Sequence, residues 1–177
     1  MKNILVVVDM QNDFVDGALG SPQAQAIVPA VCAAIADPQY DGIFVTFDTH
    51  GANYSDTLEG EKLPVPHCIR GTAGWALTPA VAAELSTKAW TNVEKPTFGS
   101  RTLAHAVAAA TAGEAQPRVT LCGLCTDICV VSNALLLRAE CPNLPIRVLA
   151  GACAGTSSAA HEAALATMTS CQVDVHR

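Results

Sequence analysis

Continuous apolar runs alternate with longer stretches of helical character along the whole chain. ILVVVD, GIFVTFD, AWTNVEK, RVTLCG, IRVLAG and CQVDV read as strands; AIVPAVCAAIA, TPAVAAEL, LAHAVAAATA, ICVVSNALLLRA and AAHEAALATMT read as helices. Strands without polar alternation are buried on both faces, which a parallel sheet sandwiched between helices provides. The pattern predicts an α/β fold, a doubly wound, mostly parallel sheet of about six strands with helices on both faces. At 177 residues the chain suits one hydrophobic core and is short for two, so residues 1–177 are expected to form a single domain.

In such sheets ligands bind beyond the carboxyl ends of the strands. The first run ends at Asp9, the second at Asp48 and His50, the third at Glu94 and Lys95, and the fourth at Gly123 before LCTDIC. These strand ends carry ionisable or reactive groups toward one rim. The longest polar stretch, roughly Gly51 to Gly74, is expected to be a loop, and its His67, with Trp75 just beyond it, favours a functional one.

Composition narrows the partners. Half the residues are apolar but only 5% are aromatic, which suits helices packed closely on an aliphatic sheet. A net charge of -6 with no run of Lys or Arg gives no footprint for nucleic acid or anionic lipid. No apolar run is long enough to span a membrane, and MKNILVVVD enters the first strand without the segments of a signal peptide. A cytoplasmic protein is expected. Eight cysteines could form a disulfide framework, but most sit inside apolar runs such as VTLCGLC and AVCAAI. Cys32, Cys122, Cys141, Cys153 and Cys171 are therefore expected to be buried, reduced thiols.

Cys129 differs from these. It follows the fourth strand in the first turn of a helix, with Thr126 or Asp127 as the expected cap. A thiol there faces unpaired backbone N–H groups and the positive end of the helix dipole, which can lower its pKa and hold an oxyanion. Cys125, in the turn ahead, is less well placed for attack. Reading Cys122, Cys125 and Cys129 as metal ligands is disfavoured, because Cys122 should point into the sheet and no second Cys pair follows. Asp9 is the natural base if the first and fourth strands are neighbours, and Lys95 supplies a cation that would hold thiolate and carboxylate. Separately, Asp48 and His50 extend to one side of a strand end, and His67 could close a metal site with open positions for water or substrate. A loop held by hydrogen bonds is an equal reading of those three residues.

DMQNDF near the start, KPTFGS in the middle and GLCTDICV after the fourth strand together resemble the isochorismatase-like cysteine hydrolases. DTHGANYSDTLEGEKLPVPHCIRGTAGW is similar to the metal-site region of the nicotinamidase subgroup. The resemblance implies the isochorismatase-like hydrolase fold and an Asp9, Lys95 and Cys129 triad. In it Cys129 forms a thioester, Asp9 shuttles protons and Lys95 lowers both pKa values. It also implies a cis peptide between Leu124 and Cys125, with the N–H groups of Cys125 and Cys129 as an oxyanion hole. A divalent metal, zinc by family habit, would sit on Asp48, His50 and His67 and bind the pyridine nitrogen of the substrate. Glu59 is the favoured fourth ligand and Glu61 the next. Phe14 and Phe98 would sandwich the ring, with Leu19 and Trp75 as weaker contacts. No organic cofactor is implied. Cys125 departs from the small residue usual in the family, which raises a disulfide with Cys129.

The activity so implied is hydrolysis of nicotinamide to nicotinate and ammonia, a step of NAD salvage, in a homo-oligomer acting on a small amide. The alternatives are a family hydrolase for another amide, ureide or vinyl ether, and a non-catalytic sensor using Cys125 and Cys129 as a dithiol switch.

Overall fold

The computed structural model describes residues 2–177. The six apolar runs are the six strands: β1 (Asn3–Val8), β2 (Gly42–Asp48), β3 (Trp90–Lys95), β4 (Arg118–Leu124), β5 (Ile146–Ala154) and β6 (Asp174–His176). They form one sheet in the order β3-β2-β1-β4-β5-β6, and every pairing is parallel. Leu5, Val6, Val7 and Val8 are wholly buried, as expected for a central strand covered on both faces.

The five long helices fall where the apolar pattern places them: α3 (Val28–Ala36), α5 (Pro79–Leu85), α6 (Arg101–Thr111), α7 (Val131–Glu140) and α8 (Ser158–Ser170). Helix α3 packs with α5, whereas α6, α7 and α8 pack side by side, giving the two helical layers. Ser100 and Ser157 cap α6 and α8 through their hydroxyls. Three short helices, α1 (Asn12–Val15), α2 (Pro22–Ala26) and α4 (Leu58–Lys62), were not legible as periodic runs. The stretch expected to be a plain loop thus contains α4 and the 3-10 turn Tyr54–Asp56.

The chain winds outward from β1 to β3, returns to β4 beside β1, then winds outward the other way. The crevice where the order reverses lies at the carboxyl ends of β1 and β4. Gly123 permits this junction, since at its φ of 114° a Cβ would stand 2.1 Å from the Val8 carbonyl oxygen.

All eight cysteines are free thiols. Cys122 and Cys153 are buried as expected, but Cys32, Cys141 and Cys171 are partly exposed, at helix positions or ends rather than in the sheet. Among the described residues, no helix is long and apolar enough to cross a membrane.

Candidate active site

Asp9 leaves β1 in the left-handed region, with φ 49°, a conformation Asp tolerates better than most residues. Its amide donates to the Thr46 carbonyl, and the Thr46 hydroxyl donates to its Oδ1 at 2.6 Å. Its Oδ2 has the Lys95 ammonium at 2.7 Å. Lys95, at the end of β3, also stands 3.4 Å from Cys129 Sγ and 3.5 Å from Asp48 Oδ1. Sequence positions 9, 95 and 129 thus converge on one buried ammonium, with Asp9 at 0%, Lys95 at 1% and Cys129 at 4% exposure.

Burial pushes the Asp9 carboxyl up, the Lys95 charge pulls it down and Asp48 adds to the rise; the net shift is upward. Burial likewise pushes the Cys129 thiol well up, the Asp9 charge adds to this and Lys95 opposes it. Lys95 therefore acts in the expected direction on both groups but does not win. The lowered thiol pKa expected from the helix start is corrected accordingly: nearly complete loss of hydration, with the Asp9 charge added, outweighs the Lys95 cation. For Lys95 itself burial works against the charge, but Asp9, Cys129 and Asp48 raise its pKa, so it stays protonated.

Cys129 lies in a π-helical turn, Thr126–Val130, that leads into α7. The peptide between Leu124 and Cys125 is cis, as the resemblance implied. The Cys125 carbonyl accepts from the amides of Ile128 and Val130. The expected capping by Thr126 or Asp127 does not occur. The Asp127 carboxylate accepts from the Thr156 amide and hydroxyl, and Thr126 bonds His161 Nδ1, so the first ties the turn to the segment between β5 and α8 and the second ties it to α8 itself. Cys125 is half-buried, its thiol pushed up to about 12 by burial.

The second cluster forms because the polar stretch folds back onto β2. His50 and Ile69 pair as a bridge, with the His50 amide donating to Cys68 and the Arg70 amide donating to His50. This return brings one ligand atom each of Asp48, His50, Glu59 and His67 within 4.8 Å of one another. Asp48 Oδ2 lies 3.0 Å from His50 Nε2 and 3.5 Å from His67 Nε2, and Glu59 Oε1 lies 3.7 and 3.6 Å from the same nitrogens. Glu61 is not in the group. His67 Nδ1 donates to the Val65 carbonyl at 2.9 Å, which turns Nε2 toward the carboxylates; burial lowers the His67 pKa, but its hydrogen bond to Asp48 and the nearby negative charges raise it overall. Burial raises the Asp48 carboxyl, but His50, His67 and Lys95 more than offset it and hold Asp48 well below the usual carboxylate range. Glu59 is raised, first by burial and then by Asp48. Two imidazoles and two carboxylates, one repelling the other, fit a divalent cation.

Both clusters open into one cleft of about 810 Å³, lined by Phe14, Leu19, Asp48, Glu59, His67, Phe98, Leu124, Cys125 and Cys129 among others. Phe14 packs against His67 with centroids 5.4 Å apart. Trp75 does not line the cleft, contrary to expectation. Its indole N–H donates to Thr49 and its ring packs on Phe47, so it buttresses the end of β2 instead.

Several supporting residues escaped sequence reasoning. The Gln11 side chain bonds both the amide and the carbonyl of Asp48. Tyr54 sets its ring edgewise against His50 and His67. Asn133 donates to the carbonyls of Cys129 and Phe98 and accepts from the Ser100 amide. Gln11 lay inside DMQNDF and could have been suspected; Tyr54 and Asn133 carried no local signal.

A family model described as Isochorismatase domain matches residues 3–177. The nicotinamidase/pyrazinamidase of Mycobacterium tuberculosis (strain ATCC 25618 / H37Rv) is 28% identical over 181 residues, covering 97% of this chain and 96% of that protein. The crystal structure of pyrazinamidase/nicotinamidase from Streptococcus mutans UA159 aligns with a TM-score of 0.85 and 26% identity over 99% of this chain and 100% of that one. Nicotinamidase/pyrazinamidase PncA from Bacillus subtilis aligns with a TM-score of 0.81 and 26% identity over all of both chains. With the match running through every strand and both clusters, the chain belongs to the isochorismatase domain family of hydrolases.

Proposed function

We propose that the protein is a cysteine-dependent amidohydrolase that converts nicotinamide and water to nicotinate and ammonia. The observation that carries this reading is the convergence of Asp9, Lys95 and Cys129 beside the Asp48, His50, Glu59 and His67 cluster in one cleft. The likeness to nicotinamidase/pyrazinamidase proteins over nearly the whole chain supports the same substrate class.

Asp9 takes the Cys129 proton as the sulfur attacks the carboxamide carbon, so no free thiolate need accumulate in a site that disfavours one. The amides of Cys125 and Cys129 are the donors for the oxyanion that forms. Asp9 then returns the proton to the amide nitrogen, the C–N bond breaks and ammonia leaves a thioester on Cys129. A water molecule that gives its proton to Asp9 hydrolyses the thioester, releasing nicotinate and restoring the thiol. Lys95 keeps Asp9 ionised between these transfers as far as its charge can oppose burial.

Asp48, His50, His67 and Glu59 are the residues that would hold a divalent ion, zinc by the mixture of imidazole and carboxylate donors. Such an ion supplies an acceptor site for the ring nitrogen and so orients the carboxamide toward Cys129. Phe14 and Phe98 are the apolar walls for the ring.

Ammonia release from nicotinamide by the purified, zinc-supplied protein tests the proposal, with mass spectrometry of quenched enzyme to find the nicotinoyl adduct on Cys129. No ammonia at millimolar nicotinamide would sink it.

A further inference from the structure

Exposed large apolar side chains are few among the described residues: Leu58 at 72%, Phe98 at 46%, Trp90 at 38% and Leu63 at 37%. Three of the four, Leu58, Leu63 and Phe98, line the same cleft that contains Cys129. They surround it from two directions. Leu58 opens α4, one residue before Glu59, and Leu63 ends it; Phe98 follows Lys95 on the opposite connection, between β3 and α6. Wet leucines clustered around one opening mark a surface that gains by being covered.

The cleft is also larger than a bare ring needs. Its volume of about 810 Å³ lies in the upper part of the range that encloses drug-sized ligands, roughly 300–1,000 Å³. A single-ring carboxamide pinned between Cys129 and the His67 cluster fills only the inner part and leaves the leucine rim in water.

We infer that the preferred substrates are aromatic carboxamides bearing an apolar substituent on the side of the ring away from the carboxamide, and that Leu58, Leu63 and Phe98 bind it. This rests on the amide-hydrolase reading and names the substrate class within it. The occupant is part of the substrate, not another chain, because Leu58, Leu63 and Phe98 line the same cleft as Glu59 and the reacting Cys129. The reaction is unchanged: water replaces the amide nitrogen at the carbonyl carbon and ammonia leaves. Position 5 of nicotinamide points the required way, opposite the ring edge that joins the nitrogen to the carboxamide-bearing carbon.

The test is kcat/KM for ammonia release from nicotinamide and from 5-methyl-, 5-propyl- and 5-phenylnicotinamide, using zinc-supplied wild type and Leu58→Ser. Fully burying a methylene is worth roughly fourfold, so a fully buried propyl group would gain about sixtyfold; at a rim that stays partly wet the propyl compound is expected to exceed nicotinamide by about tenfold. In Leu58→Ser that ratio is expected to fall by about fivefold, reflecting loss of most of one leucine contact. The substituted residue is exposed, so folding is not at stake, and circular dichroism checks it. Nicotinamide turnover with a wild-type ratio at or below one overturns this inference while leaving amide hydrolysis standing. A high ratio that survives Leu58→Ser overturns the role of the rim. A dimer that Leu58→Ser dissociates, with no substituent preference, assigns the rim to a second copy and overturns it too. Absence of ammonia from all four compounds removes the amidohydrolase reading and this one with it.

Discussion

The Lys95 ammonium lies 2.7 Å from Asp9 Oδ2, and both side chains are shut away from water at the switch point of the sheet. Such a pair costs much to desolvate, and losing one partner costs more than never having had it.

Lys95→Met leaves the carboxylates of Asp9 and Asp48 without their shared cation. The expected loss is about 3–5 kcal/mol, or a Tm lower by roughly 6–20 °C at neutral pH. Because the native Asp9 pKa is raised above its ordinary value, native Asp9 holds its proton at pH values where the unfolded chain has released it. Its contribution to stability is full below the ordinary value and is lost as pH rises through the native one. Without Lys95 the native value rises further, so the Tm deficit should be largest at neutral pH and shrink toward pH 4. Differential scanning calorimetry of both proteins from pH 4 to pH 8 measures this; a deficit that grows toward acid contradicts it. The Asp9→Asn, Lys95→Met double variant should recover part of the stability and none of the activity.

Cys129→Ala should lower kcat on nicotinamide by about 10⁴-fold or more while the protein stays folded, because the nucleophile and its partners act as a unit. The raised thiol pKa adds a second expectation. Iodoacetamide should modify Cys129 slowly at pH 7, and the rate should climb about tenfold per pH unit through pH 9, as the thiolate fraction does. Mass spectrometry of the peptide containing Cys129 follows this directly, and a rate already at plateau by pH 7 would show a preformed thiolate.

The four-residue donor cluster predicts one divalent ion per chain. Dialysis against EDTA should abolish turnover, zinc should restore it, and His67→Ala should bind the ion about 10–100-fold more weakly. Zinc at a hundred times its Kd should add about 2.7 kcal/mol, raising Tm by roughly 5–11 °C. Metal analysis and thermal melts with and without chelator give both numbers. Full activity in metal-free protein would assign the cluster to holding the loop only.

Much of this was legible because a parallel α/β sheet writes itself as unbroken apolar runs whose last residues face the crevice. Asp9, Asp48 and Lys95 could be placed from that rule alone, and Cys129 from the turn that follows β4. What stayed hidden depended on contacts between distant parts of the chain. Helix α4 has no apolar period and is held where the Thr57 hydroxyl accepts from Gly60, whose Cβ position is filled by the Tyr54 carbonyl, so Glu59 could be named only by resemblance. Asp127 looked like a cap until the Thr156 segment claimed its carboxylate. Trp75 looked like a weaker substrate contact until Thr49 and Phe47 turned it away from the cleft. The thiol pKa went wrong for a different reason: a helix start can be read from sequence, whereas the depth at which it is buried cannot.

Asn133 holds the two sides of the cleft together. From the first turns of α7 its amide nitrogen donates to the Cys129 carbonyl at 2.8 Å and the Phe98 carbonyl at 3.2 Å, and its oxygen accepts from the Ser100 amide at 2.9 Å. Asn133→Leu keeps the volume but leaves these three backbone groups unpartnered. Buried polar groups so orphaned cost about 1–3 kcal/mol each, partly relieved by local movement, so a net loss of about 2–4 kcal/mol is expected. The movement should also displace Phe98 relative to Cys129, and small misplacements of reacting groups cost up to about 10²-fold in rate. At a temperature where the variant is folded, kcat/KM on nicotinamide should therefore fall by about tenfold or more, with kcat affected as well as KM. Steady-state kinetics beside a thermal melt decide it: a less stable variant with wild-type kcat and KM would make Asn133 an anchor for the fold and nothing more.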